Sequence, residues 1–186
     1  MGRFKEILNE IALGDVPMTA KLPDQKFKSK GSKLISNAPS GHHIYRETSP
    51  HGGFTGFAAV HPVSKKIEMH VVGSTQKHSN GSETLKVTNL SGSKNSSIKA
   101  HELYHHLINH HNMIIHSDNS QSEGGLKTWR RLHKIPGVNV HKWDSGSQTA
   151  SSTPRIGKGY THAAPGDHSQ WQRRNSTLVA HKPIGE

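Results

Sequence analysis

The chain has 186 residues and a formal net charge of +11, from 24 Lys and Arg against 13 Asp and Glu, with 17 histidines besides. That length suits one domain with an appendage. The lack of cysteine excludes a disulfide framework and a thiolate metal site. No apolar run approaches the roughly 18 residues that a membrane-spanning helix needs. Leu, Ile, Val and Phe make up only about a fifth of the sequence, the margin at which cores become sparse. One small core with long polar segments around it is expected.

A pI near 10 favours attraction to nucleic acid or another polyanion, set against the plainer reading of a solvated basic surface. The basic residues are dispersed: Lys26, Lys28, Lys30 and Lys33 early, Lys127, Arg130 and Arg131 later, Arg173 and Arg174 near the end. The first residues carry no apolar leader pattern, and Glu6 stands where a myristoylation signal needs Ser or Thr. A cytoplasmic protein is the expectation.

Phe4, Ile7, Leu8 and Ile11 recur at helical spacing, and Gly14 and Pro17 stop that helix. Residues 17–40 read as an irregular polar arm, so 1–40 form a helix and arm, and 41–186 the main domain. Four strands are predicted next: His43–Thr48, Phe54–His61, Lys66–Val72 and Thr84–Leu90, in an antiparallel meander. A 3.6-residue period over Ser96–His111 predicts a helix with Ala100, Leu103, Tyr104, Leu107, Ile108 and His111 in one stripe. Met113–His116 reads as a short buried strand. Ser120 and Glu123 have the spacing of a capping box and open a helix carrying Leu126, Trp129 and Leu132, which Pro136-Gly137 ends. Val138–Trp143 alternates as a strand, residues 144–175 read as a long loop, and Ser176–His181 as a final strand. A meander followed by α-β-α-β gives an α+β fold. Its central sheet is mixed but largely antiparallel and flanked by helices, because a helical crossover brings the next strand in parallel.

That order of elements resembles the GNAT (N-acetyltransferase) fold. Leu103-Tyr104, Leu107-Ile108, Ser117-Asp118, Gln121-Ser122, Gly124-Gly125, Trp129, Leu132, Pro136-Gly137-Val138, Val140 and Trp143 are similar to a group of GNAT-like proteins encoded by bacteriophages, as is Leu178-Val179-Ala180. The resemblance implies an acyl-CoA-dependent N-acyltransferase, with acetyl-CoA as cofactor and its pyrophosphate on backbone N–H groups at a helix start. The corresponding loop is Gly92, Ser93, Lys94, Asn95, Ser96 and Ser97, in which Gly92 alone remains of the family's glycines. Ser117 and Asp118, at the carboxyl end of the fifth predicted strand, are the candidate catalytic pair, since ligands collect at such ends. The competing reading is that Ser117, Asp118, Ser120 and Ser122 only cap the next helix. The rival to catalysis is a GNAT-like scaffold serving as a virion or host-interaction component, its basic surface contacting nucleic acid or an acidic protein. That reading places the protein in host cytoplasm or in particles.

His101-Glu102-Leu103-Tyr104-His105 matches the zinc-hydrolase pattern H-E-x-x-H, and His111 falls at the third-ligand position of its longer form. Six histidines between His101 and His116 make a chance match easy, and Ile108 replaces the glycine of the longer pattern. On the helical wheel His101 and His105 face a rim or solvent, apart from His111. Zinc hydrolysis is therefore the third reading. His42, His43, His61 and His70 are general-base candidates over the sheet, with ordinary surface histidine favoured for each. No G-x-S-x-G elbow, P-loop or dinucleotide fingerprint is present.

Overall fold

A computed structural model describes residues 31–48, 53–79, 81–118, 121–143, 160–162 and 177–183. The strands are β1 (Ser32–Asn37), β2 (His43–Thr48), β3 (Thr55–Val60), β4 (Ile67–Lys77), β5 (Glu83–Gly92), β6 (Met113–His116), β7 (Asn139–Trp143), β8 (Tyr160–His162) and β9 (Thr177–His181). The described helices are α1 (Ala100–His111), between β5 and β6, and α2 (Glu123–Leu132), between β6 and β7. All nine strands join one sheet in the order β1-β2-β3-β4-β5-β6-β9-β7-β8. Every neighbouring pair is antiparallel except β5 and β6. The class is mixed α+β, as the alternation of elements predicts. The expected helix at residues 4–12 lies outside the described residues.

One face of the sheet holds the core. Ile44, Phe57, Met69, Val71, Leu85, Ile115, Leu178 and Ala180 pack there with Leu103, Tyr104, Leu107 and Ile108 of α1 and Leu126, Trp129 and Leu132 of α2. The helical stripes are the predicted ones, spaced three and four apart. β3 is buried along its whole length, which its Gly-Phe-Ala-Ala-Val run requires of a strand covered on both faces.

Several boundaries differ from the sequence expectation. β1 lies within the segment read as an irregular arm. It is a half-exposed edge strand with Lys33 and an extra residue, Ile35, between the pairs Leu34↔Tyr45 and Ser36↔Ile44. Edge strands tolerate charges and bulges, so no apolar alternation marks them. β8 lies inside the predicted 144–175 loop and pairs with His141–Trp143; the rest of that loop lies outside the described residues. α2 is capped by Ser122, whose Oγ accepts from the Gly125 N–H at 3.0 Å, so the cap is two residues beyond the Ser120 of the expected capping box. On α1 the carboxylate half of such a box forms, with the Glu102 carboxylate accepting from the Lys99 N–H at 2.6 Å, while the Lys99 ammonium donates back to the Ser96 carbonyl at 3.0 Å. Asn112 ends α1 in the left-handed conformation at φ 52°, its N–H on the Leu107 carbonyl, and β6 starts at the next residue.

Candidate functional site

The site follows from unequal strand lengths. β6 pairs in parallel with β5 over Glu83–Lys86 only, whereas β5 runs on to Gly92. At Ser117 the chain leaves β6 and is held by β9: its N–H donates to the Leu178 carbonyl at 2.8 Å. Beyond Lys86 a cleft therefore opens between the far half of β5 and the start of α2, with a volume of about 300 Å³. Val87, Thr88, Asn89 and Leu90 form one wall, Tyr104 and Trp129 the apolar floor, and Asp118, Gly124 and Gly125 the opposite rim. The two aromatic rings touch, with centroids 5.8 Å apart. Gly124 and Gly125 leave the first turn of α2 open to a ligand, since a side chain at either position would project from bare helix backbone.

A β-bulge shapes the β5 wall. Val72 pairs with Asn89 and Gly73 with Val87, so Thr88 faces no residue of β4 and is the extra residue. Bulges re-aim backbone and side chains and recur beside ligand sites. The Thr88 hydroxyl donates back to the Val72 carbonyl at 3.1 Å and fixes the distortion. Gly73 is forced by the same close approach: a Cβ there would stand 2.1 Å from the Lys86 carbonyl oxygen.

Of the residues singled out in the sequence, Ser117, Asp118 and Gly92 meet in the cleft lining. Ser117 is buried and its hydroxyl is fully engaged. It donates to the Asp118 carbonyl at 2.9 Å and accepts from the Gln121 amide at 3.0 Å and the Leu178 N–H at 2.8 Å. That exhausts one donor and two acceptor sites, so the hydroxyl ties the end of β6 to β9 and to the approach to α2. Asp118 is exposed at the rim. Burial pushes the Tyr104 phenol above its usual range and keeps it protonated.

Ser93, Lys94, Asn95, Ser96 and Ser97 do not line the cleft. Their loop is satisfied internally: the Ser93 N–H donates to the Glu68 carbonyl at 2.8 Å, and the Ser96 N–H to the Ser93 carbonyl at 3.2 Å. The Ser97 N–H and hydroxyl both donate to the Glu68 carboxylate, at 2.7 and 2.8 Å. Burial would raise the Glu68 pKa, but these bonds and the adjacent His42 hold it below the ordinary carboxylate value. A carboxylate thus occupies donors that a pyrophosphate would use.

The histidines are placed differently from expectation. His42 and His70 are buried rather than surface residues, paired with Glu68 at 3.0 Å and Glu47 at 3.1 Å. Gly56 makes room for the second pair, since a Cβ there would lie 2.9 Å from His70 Nε2. In the H-E-x-x-H segment, Glu102 caps its own helix and His105 Nε2 meets the Asn109 amide at 2.6 Å. His111 points elsewhere, to Ser36 of β1. His106, absent from the predicted stripe, is buried and shares that Ser36 hydroxyl, each Nε2 lying 2.7 Å from Oγ. Among the described residues the buried His106 Nδ1 has no hydrogen-bond partner. Ser36 Oγ, with one donor and two acceptor sites, links the two imidazoles. Burial, then the neighbouring His110 and His111, lowers the His106 pKa to about 4. Among the described residues no group of three or more His, Asp or Glu side chains is placed to hold a metal ion. No described helix is long and apolar enough to cross a membrane.

No protein-family model matches the chain, and no curated protein matches it.

Proposed function

We propose that the chain is a GNAT-like protein of the bacteriophage kind, whose cleft takes an acyl-CoA for transfer of the acyl group to an amine. The observation that carries this reading is the cleft itself. β5 outruns its parallel partner, bulges at Thr88, and faces the glycine-rich first turn of α2. In the reaction the amine nitrogen attacks the thioester carbonyl, the C–S bond breaks, and the ammonium proton is lost. Asp118, at the rim, is the carboxylate proposed to take that proton. Tyr104, held neutral by burial, is the hydroxyl available to donate to the departing thiolate. The oxyanion would need a backbone N–H donor, and the bulge at Thr88 is where β5 is proposed to supply it. Calorimetric titration with acetyl-CoA tests the reading. Micromolar binding is expected, lost in Gly124→Leu, which fills the cleft mouth from an exposed position. No heat at high protein concentration would sink it.

A second reading has its own observation. Glu68 occupies the Ser97 donors, which suits a scaffold without a cofactor, acting as a virion or host-interaction component through its basic surface. Recovery of the protein in purified particles, with no acetyl-CoA binding, is the result it requires.

A further inference from the structure

We propose that Ser40 is the nucleophile of a Ser–His–Glu triad that takes the acyl group of an activated ester. His42, a general-base candidate in the sequence, meets both of the partners such a base needs. The β1–β2 turn closes through the Ala38 N–H on the His42 carbonyl and the Gly41 N–H on the Ala38 carbonyl, each at 2.8 Å. Gly41 stands at φ 83°, a reversal that lets residue 40 fold back towards residue 42. Ser40 Oγ lies 3.0 Å from His42 Nδ1, and His42 Nε2 lies 3.0 Å from the Glu68 carboxylate of β4. None of the three lines the cleft, so this site stands apart from the acyl-CoA reading.

The carboxylate decides which way the protons run. Burial works against its charge, but bonds from the Ser97 N–H at 2.7 Å and the Ser97 hydroxyl at 2.8 Å, with the adjacent His42, keep Glu68 ionised. An ionised carboxylate only accepts, so Nε2 carries the proton of the neutral His42 ring and Nδ1 keeps its lone pair. The Ser40 hydroxyl donates to that lone pair. This is the order of groups in which a carboxylate orients a base and the base activates a serine. His42 is buried and Ser40 is exposed, so the base is held by the protein while the nucleophile is open to substrate. In the reaction Ser40 Oγ attacks the ester carbonyl as its proton passes to Nδ1. The imidazolium, facing Glu68, returns that proton to the leaving oxygen as the C–O bond breaks. Water then gives a proton to Nδ1 and adds to the acyl-Ser40 carbonyl, and the proton goes on to Ser40 Oγ as the carboxylic acid departs. At so exposed a position the oxyanion meets water. A fixed donor would supply about 10²–10³ in rate, so the site suits esters with a good leaving group, such as aryl esters, rather than amides.

The full chain with p-nitrophenyl acetate tests the assignment, read by nitrophenolate release and by mass mapping after an acid quench in the first turnover. An acetyl ester on Ser40 that hydroxylamine removes is expected. Acetyl amides on lysine resist hydroxylamine and are counted apart. Ser40→Ala changes an exposed side chain, so it should keep the fold, lose the labile adduct and slow nitrophenolate release. Glu68→Gln should slow acetylation of Ser40 by about tenfold or more, and Glu68→Asp, which restores a carboxylate, should recover part of that rate. Nitrophenolate release at the parent rate in Ser40→Ala would overturn the assignment of the nucleophile. Acetylation of Ser40 at the parent rate in Glu68→Gln would overturn the triad.

Discussion

Ser117→Ala separates a positioning role from a chemical one. The substitution leaves the Leu178 N–H, in a residue with no exposed surface, without its acceptor. An orphaned buried donor costs about 1–3 kcal/mol. Gln121 keeps a longer bond to the Asp118 carbonyl at 3.3 Å, so its amide adds less, about 0.5–1 kcal/mol. The total is about 1.5–4 kcal/mol, or a fall in Tm of roughly 3–16 °C for a chain of this size. Urea denaturation with linear extrapolation measures it, and an unchanged slope would show that the unfolded state is unaltered. Asp118→Asn, at the exposed rim, should stay within about 0.5–1 kcal/mol of the parent. A Ser117→Ala protein as stable as the parent but stripped of acyl transfer would refute the reasoning and return Ser117 to the chemistry.

Two further outcomes follow from the packing and the histidines. Gly73→Ala should cost about 3 kcal/mol or more, because its Cβ would overlap the Lys86 carbonyl and the β4–β5 ladder has to shift. Gly92→Ala is crowded by the flexible end of Met69, at 3.0 Å, with the Glu68 carbonyl at an ordinary 3.7 Å, and should cost under about 1 kcal/mol; chemical denaturation of the pair reads the contrast directly. His106 and His116 both have pKa values lowered to about 4, chiefly by burial, against 6.5 for the free imidazole. Between those limits the unfolded chain binds protons that the folded chain refuses. Stability contributed by the neutral rings is present above about pH 6.5 and falls away as the pH drops towards 4. Denaturation midpoints across that range should decline, and His106→Gln should flatten the decline; a midpoint flat from pH 7 to 4.5 would contradict the burial argument.

The elements with strong periodicity were legible from residue order. β2 and β6 fall on their expected residues, and the α1 and α2 stripes form the core. What escaped depends on contacts distant in sequence. β1 carries too little apolar signal to be seen, because an edge strand needs only one neighbour. The bulge at Thr88 has no local mark: it follows from Gly73, fifteen residues earlier, lying against Lys86. His106 reads as a polar interruption of α1 until Ser36, seventy residues away, supplies its hydrogen bond. Ser117 and Asp118 were legible as cleft residues, since a strand end before a helix is where ligands gather. The internal satisfaction of the 93–97 loop by Glu68 was not, because no spacing connects them.

β9 has a consequence for how the protein is made. It follows every other described strand in sequence, yet it lies inside the sheet, paired to β6 on one side and to β7 on the other. During synthesis the β1–β5 meander can close on contacts near in sequence, the class that forms fast. β6 and β7 must wait, each with a bare edge, until Thr177–His181 has left the ribosome and slipped between them. A nascent chain stopped short of that segment therefore holds two unpaired edges and a core lacking Leu178 and Ala180, the condition in which strands pair with the wrong neighbour.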